Sequence, residues 1–201
     1  MDVTDQDILS VFGENLSANF VVPKYQRGYD WNENNWRKLW QDIQNIGGRV
    51  DEHFLGTLIL LSDEEEDRIE IVDGQQRLVT VSILTMVIRD LVEEQPDKLE
   101  LVLSPMSKED RRIKYKTSSD DEVYETLHRG DLDALESRSN IRKAYRYFEN
   151  RITQEYPDDP ATLLDKIENL TVVRTKLYDP VKAYPIFQAQ NDRGEDVEPH
   201  I

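Results

Sequence analysis

The run Asp73-Gly-Gln-Gln-Arg77 places chemically capable residues where an extended segment hands over to a strongly apolar helix. The first amides of a helix have no acceptor within it and carry partial positive charge, so an anion sits well there. Gly74 would let a ligand approach the backbone closely. Arg77 could grip a phosphate through two parallel hydrogen bonds. Gln75 and Gln76 bring amides that donate and accept, suited to a base edge, a sugar or a water. Asp73 could hold a magnesium ion or position a water. The same residues also describe a hairpin end with an Asp-Gly turn and a capped helix. Spacing alone does not separate the two, because short motifs match by chance. A plain turn leaves unexplained why two adjacent glutamines and an arginine head so apolar a helix.

A second run, Pro23-Lys-Tyr-Gln-Arg-Gly-Tyr-Asp-Trp31, adds Arg27 as a phosphate candidate. Tyr25, Tyr29 and Trp31 could stack on a base, which is worth about 1–3 kcal/mol per base in single-strand binders. The alternative is that the aromatics anchor a loop to the core, and packing is the expected role of Trp31, Trp36 and Trp40. Asn191-Asp-Arg-Gly194, taken alone, is a turn signal. Arg111-Arg-Ile-Lys-Tyr-Lys116 is the one dense basic run. It could touch a nucleic-acid backbone, but a solvated helix face is the expected reading.

These candidates must be positioned by elements legible in the pattern. Thr4-Asp-Gln-Asp7 reads as a capping box opening a short helix through Phe12 that stops at Gly13. Asn19–Val22 reads as a strand closed by Pro23. From Glu33, Trp36, Leu39, Trp40, Ile43 and Ile46 fall at helical spacing, and Gly47-Gly48 ends the helix. Phe54–Leu61 is a near-continuous apolar run, a buried strand, joined through an acidic turn to a second strand, Arg68–Val72. Gln76–Val92 is apolar around most of its circumference and should be a helix buried on several sides. The second half reads as mostly helical, with a helical insertion at about residues 95–170. Ser119-x-x-Glu122 is a capping box with Gly130 as the stop. Ile141, Ala144, Tyr145, Phe148 and Ile152 form one stripe. Asp159 is an N-cap with Pro160 at the first helical position, followed by Leu163, Leu164, Ile167 and Leu170. Thr171–Tyr178 is a strand returning to the sheet, and Tyr184–Gln190 a short helix. There is no internal repeat and no low-complexity linker.

The chain of 201 residues is 38% hydrophobic, enough for one good core, and 33% charged. Its net charge is -16, a poor start for a nucleic-acid binder, since phosphate contacts normally supply most of the affinity. The acids cluster in Ser62–Asp67, Glu93-Glu94, Ser119–Glu122 and Asp158-Asp159, which read as loops and helix ends. This pattern fits the cytoplasm of a salt-loving, halophilic microbe. At about 1 M salt the Debye length is only about 3 Å, so local geometry outweighs global charge. The chain has no cysteine, which excludes disulfides, thiolate nucleophiles and cysteine metal sites. His53, His128 and His200 show no metal-ligand spacing. There is neither a membrane-spanning run nor a signal peptide, so a cytoplasmic location is expected.

The motifs in this order resemble the N-terminal domain family of the GmrSD-type restriction endonucleases. That pattern has a Pro-x-Tyr-Gln-Arg-x-Tyr-x-Trp loop, a Phe-x-Gly strand, an Asp-Gly-Gln-Gln-Arg turn before an apolar helix, and a late Phe-x-x-x-Asn-x-Arg-Gly segment. Here these are Pro23–Trp31, Phe54–Gly56, Asp73–Thr80 and Phe187–Gly194. The resemblance implies one α/β (α+β) domain with a ParB/sulfiredoxin-like small mixed sheet. It also implies binding and hydrolysis of a nucleoside triphosphate, with Mg2+, in an antiviral defence system that cuts modified DNA. Carried over by matching position, Tyr25, Gln26, Arg27, Gly74, Asn191 and Arg193 are implied to bind nucleotide, and Asp73, Gln75, Gln76 and Arg77 to act in catalysis, Asp73 also on the metal. The expected partners are modified DNA, met directly or through another protein, a nuclease domain or subunit supplied elsewhere, and a second copy in a homodimer. No membrane is expected.

The family pattern continues past Asn-x-Arg-Gly with Leu, a further helix and often a nuclease domain, whereas this sequence gives Glu195-Asp-Val-Glu-Pro-His-Ile201. A short member is therefore expected, and DNA cleavage by this chain alone is not. The leading expectation is an NTP-dependent regulatory subunit in which Arg27, Arg77 and Arg193 neutralise phosphates. The rivals are a non-enzymatic sensor of nucleotide or modified DNA, a stand-alone ParB-like nuclease, and a degenerate fragment.

Overall fold

The protein is described by a computed structural model that covers residues 1–14, 16–63, 67–94, 96–104, 111–116, 118–132, 139–181 and 185–186. The chain runs β1 (Asp2–Asp7), α1 (Ile8–Gly13), β2 (Asn19–Val22), α2 (Glu33–Asn45), β3 (His53–Asp63), β4 (Arg68–Asp73) and α3 (Gln75–Leu91). It continues as α4 (Asp97–Leu103), β5 (Ile113–Tyr115), α5 (Ser118–His128), α6 (Asn140–Glu155), α7 (Thr162–Glu168) and β6 (Leu170–Leu177). The expected mixed α/β class is found. The strands form one sheet in the order β1-β6-β3-β4-β2-β5. β1 and β6 are antiparallel, as are β3 and β4, while β3 with β6, β2 with β4 and β2 with β5 are parallel. No helix among the described residues is long and apolar enough to cross a membrane.

Strand alternation divides the apolar side chains between two faces. Leu58 and Leu60 of β3 join the main core, with Ile69 and Ile71 of β4 and the buried sides of the helices. Ile59 and Leu61 turn to the other face, where they meet Val72, Leu177 and Ile186. α3 runs through the main core, and every residue from Leu78 to Ile88 is buried. Its hydroxyls are satisfied locally: Thr80 Oγ1 donates to the Gln76 carbonyl at 2.6 Å and Thr85 Oγ1 to the Val81 carbonyl at 2.8 Å. Ser82 and Tyr124 share a hydrogen bond of 2.5 Å.

Several expectations need correction. Thr4–Asp7 is strand β1, not a capping box. The cap of α1 is Asp7 itself, whose Oδ1 accepts from the Ser10 amide at 2.8 Å, and pairing with β6 holds the preceding residues extended. α7 starts at Thr162 with Ala161 as its cap, so the start expected at Asp159-Pro160 lies two residues early, although Asp159 still accepts from the Thr162 hydroxyl at 2.7 Å. α5 begins at Ser118, one residue before the expected cap. The segment read as a helical insertion also contributes β5 to the sheet. Of the Tyr184–Gln190 helix, only Pro185 and Ile186 fall within the described residues, and both are helical.

The basic run Arg111–Lys116 is not a solvated helix face. Its centre, Ile113–Tyr115, forms β5, and Arg111 and Arg112 just before it are buried. Arg111 pairs with Asp121 at 2.5 Å and Glu125 at 3.1 Å. Arg112 donates from Nη1 to the carbonyls of Leu16 and Ala18, both at 3.0 Å, and from Nη2 to those of Leu101 at 3.0 Å and Ser104 at 2.8 Å. Desolvation pushes its pKa down to about 10, which still leaves it charged at neutral pH. Carbonyls from two chain segments take the place of water around this cation.

Candidate functional site

β4 ends at Asp73, and Gly74 caps α3 with φ 90° and ψ 10°. A Cβ on Gly74 would lie 2.2 Å from Leu58 Cδ2 and 3.3 Å from the Thr57 carbonyl oxygen. The glycine is therefore required by a left-handed turn packed directly on β3, and the protein itself fills the space beside it. Gly74→Ala should destabilise the fold by about 1–3 kcal/mol through backbone strain and overpacking. A urea titration checks this, and a midpoint and slope equal to those of the parent would refute it.

The glutamines of this turn hold the Pro23–Trp31 loop. Gln76 Oε1 accepts from the amides of Asp30 at 3.0 Å and Trp31 at 3.3 Å, while its Nε2 donates to the Gly28 carbonyl at 3.0 Å. Gln75 Nε2 donates to the Arg27 carbonyl at 2.6 Å. In return, Gln26 Nε2 donates to the Val72 carbonyl at 2.5 Å. Tyr29 seals the clasp. Its hydroxyl meets Thr80 Oγ1 at 2.8 Å and accepts from Trp36 Nε1 at 2.9 Å, and its amide donates to Asp120 at 2.8 Å. Burial pushes the Tyr29 phenol well above its usual pKa. A Cβ at Gly28 would stand 2.3 Å from Asp120 Oδ2, so a larger residue must displace the carboxylate that holds the Tyr29 amide. The two motifs are thus halves of one hydrogen-bonded unit.

Arg77 points the other way. Its Nη1 donates to the Thr57 carbonyl at 2.5 Å, and its guanidinium lies against Gly56, where a Cβ would approach Nη1 to 2.9 Å. Gly56 has φ 118° and sits at a register shift of β3 against β6. The Phe-x-Gly segment is therefore a bulge that makes room for the arginine. Arg77 forms one wall of a cavity of about 290 Å3, also lined by Trp31, Asn35, Lys38, Leu39, Asp42, His53, Phe54 and Leu55. His53 Nε2 lies 3.3 Å from Asp42 Oδ2. Phe54 is 56% exposed at the rim.

The remaining candidates are dispersed. Asp73 is half-buried beside the turn. Arg27 is exposed and pairs with Asp30 at 3.2 Å. Tyr25 is half-exposed, and partial burial, then the charge of Glu70, pushes its phenol up to about 12. Neither Tyr25 nor Arg27 lines the Arg77 cavity. Asn191 and Arg193 lie outside the described residues. Among the described residues, no group of three histidine or acidic side chains could hold a metal ion by itself. Trp36 and Trp40 are buried and Trp31 packs partly on the core, as expected of loop anchors.

Sequence reasoning missed Asn35, Lys38, Asp42 and His53. The first three, with Leu39, fall at i, i+3, i+4 and i+7 on α2, one face of a helix. That face is polar, so it lacks the apolar periodicity by which Trp36, Leu39, Trp40 and Ile43 mark the buried side of the same helix.

A mixed α/β domain in which a glycine turn carries a polar clasp on one side and a cationic cavity on the other is a fold organised around its strand-to-helix handover. The chain belongs to the family described as GmrSD restriction endonuclease, N-terminal domain, whose family model matches residues 8–200. No curated protein matches it. Membership makes the chain part of a restriction system, with a role in phage defence.

Proposed function

We propose that the chain is the regulatory sensor domain of this restriction system, binding a nucleoside triphosphate at the Arg77 cavity and hydrolysing it with magnesium. The observation that carries this reading is the cavity wall itself. Arg77 and Lys38 set two cations on one half-open cavity whose one acidic lining residue, Asp42, faces His53, in a chain of net charge -16, and Trp31 and Phe54 supply apolar surface beside them. Phosphates need the first and a base or sugar the second. Magnesium is usually held by one or two carboxylates together with substrate phosphates, and Asp73 would supply such a carboxylate. Among the described residues the Arg27 side chain pairs with Asp30 in an exposed ion pair, worth little in water, so it could exchange that partner for a phosphate. Asn191 and Arg193 are proposed as further nucleotide contacts. Gln26, Gln75 and Gln76 act by positioning the loop, and Gly74 by permitting the turn. Hydrolysis would report the state of modified DNA to a nuclease supplied elsewhere. The ParB-like single domain and a homodimeric assembly belong to the same proposal.

One observation favours a second reading, a sensor that binds without turnover. Gln75 and Gln76, the groups best suited to orienting a water, are already bonded to loop backbone. Phosphate release with and without magnesium decides between them. Turnover that needs magnesium supports hydrolysis; intact binding with no turnover of any of the four nucleotides supports the sensor. For the site itself, Arg77→Ala should weaken nucleotide binding by about tenfold or more, with Arg77→Lys intermediate. Titration calorimetry on variants shown by thermal melting to be folded measures this, and unchanged affinity in Arg77→Ala would sink the assignment.

A further inference from the structure

We propose that a second cationic groove, between the start of α2 and the first half of α6, docks the sugar–phosphate backbone of duplex DNA. The groove encloses about 580 Å3 and shares no lining residue with the Arg77 cavity. Arg142, Lys143 and Arg146 line it together with the amide side chains of Asn32, Asn140 and Asn150. Glu33 is the one acidic residue among its lining residues, in a protein with 41 acidic residues against 25 basic ones. A polyanion approaching so acidic a surface is repelled almost everywhere, so a local concentration of cations decides where it can land. Arginine and lysine neutralise phosphates, and asparagine amides donate to phosphate and sugar oxygens; neither contact requires a particular sequence.

The lengths agree. From Asn140 to Asn150 the helix advances about 15 Å at 1.5 Å per residue, which matches about four nucleotides of one strand at 3.4 Å each. The first turn of α6 carries no acidic side chain. Arg146 also pairs with Glu149 at 2.7 Å, so Arg142 and Lys143 carry most of the charge offered to a phosphate. DNA is preferred over an acidic protein because the family is that of a restriction endonuclease, and DNA is what such a system must meet. This inference does not depend on nucleotide binding at Arg77.

The test uses the full chain and an unmodified 20-base-pair duplex, followed by fluorescence anisotropy between about 50 and 200 mM salt, the range over which phosphate contacts are lost. The parent protein should bind, with affinity falling as salt rises. Arg142→Gln with Lys143→Gln should weaken binding at the lowest salt by about tenfold or more. It should also flatten the plot of log affinity against log salt by about 1.8, or 0.9 for each lost phosphate contact. Lys143→Gln alone, at an exposed position, should flatten it by about 0.9 and serves if the double variant fails to fold. Nucleotide affinity should stay at the parent value in both. The proposal is overturned if the parent shows no salt-dependent DNA binding, or if the variants keep its slope. It is equally overturned if they lose binding to polyglutamate while retaining DNA, which would mark a site for acidic peptide.

Discussion

Replacing Arg112 by methionine is expected to lower the stability of the fold by about 3–5 kcal/mol, although methionine is apolar, flexible and of similar length. Arg112 is fully buried, with 0% exposure, and holds four carbonyls from two separate stretches. Leu16 and Ala18 lead into β2, while Leu101 and Ser104 lie at the end of α4. Terminal carbonyls of a helix lack donors within it and favour a cation. The Arg112 amide adds a bond of 2.7 Å to the Leu103 carbonyl, which a side-chain change leaves in place. Methionine would restore packing but supply no donor, stranding several buried acceptors at about 1 kcal/mol or more each. Lysine offers one compact ammonium in place of a planar fork, so it cannot reach both pairs at once and should fall between. Chemical denaturation of the three proteins measures the order. A methionine variant within 1 kcal/mol of the parent would show that the carbonyls find water instead.

Arg112 also shows where the sequence is hard to read. A run such as Arg111–Lys116 is ordinarily solvated because burying a cation is costly. What offsets the cost here is backbone oxygen, half of it from Leu16 and Ala18 far away in the chain, and backbone oxygen has no residue type to recognise. β1 was missed for a related reason: Asp2–Asp7 is an edge strand whose side chains are exposed or half-exposed, so it lacks the apolar alternation that marks β2, β3 and β4. Elements that bury a full face were legible almost to the residue. α2, α3 and α6 follow the 3.6-residue period of Trp36–Ile43, Leu78–Ile88 and Ile141–Ile152.

The candidate site was half legible in the same sense. Asp73–Arg77 and Pro23–Trp31 stood out as more polar than a turn and a loop require. That they bond to each other could not be read, because Gln75, Gln76 and Gln26 all reach for main-chain atoms. The consequence for function is that only Arg77 of the turn is shown facing the cavity, with the glutamines acting one step back, through the loop.

Gln76→Leu should therefore damage the site without removing any residue that lines it. The substitution deletes three hydrogen bonds, leaving the amides of Asp30 and Trp31 and the carbonyl of Gly28 without their partner. A loss of about 2–4 kcal/mol follows if these groups stay buried, and less if the loop lifts into water. In the second case Trp31 moves, and it is both a wall of the Arg77 cavity and the neighbour of Asn32, the N-cap of α2. Nucleotide affinity should then fall although Arg77 and Lys38 are intact, and hydrogen exchange should quicken at Asp30 and Trp31 while the amides of Leu78–Ile88 stay protected. Gln76→Glu adds a check by pH. Its carboxylate would keep the two acceptor bonds but face the Gly28 carbonyl, in a position only 9% exposed, so desolvation and that oxygen should raise its folded-state pKa above the unfolded value. Its contribution to stability is then fully present below the unfolded pKa and lost as pH rises through the folded one. The variant should recover toward the parent on acidification and be weakest at neutral pH. Parent-like exchange at Asp30 and Trp31 in Gln76→Leu, or a Gln76→Glu variant whose deficit does not change with pH, would mean that the clasp does not hold the loop.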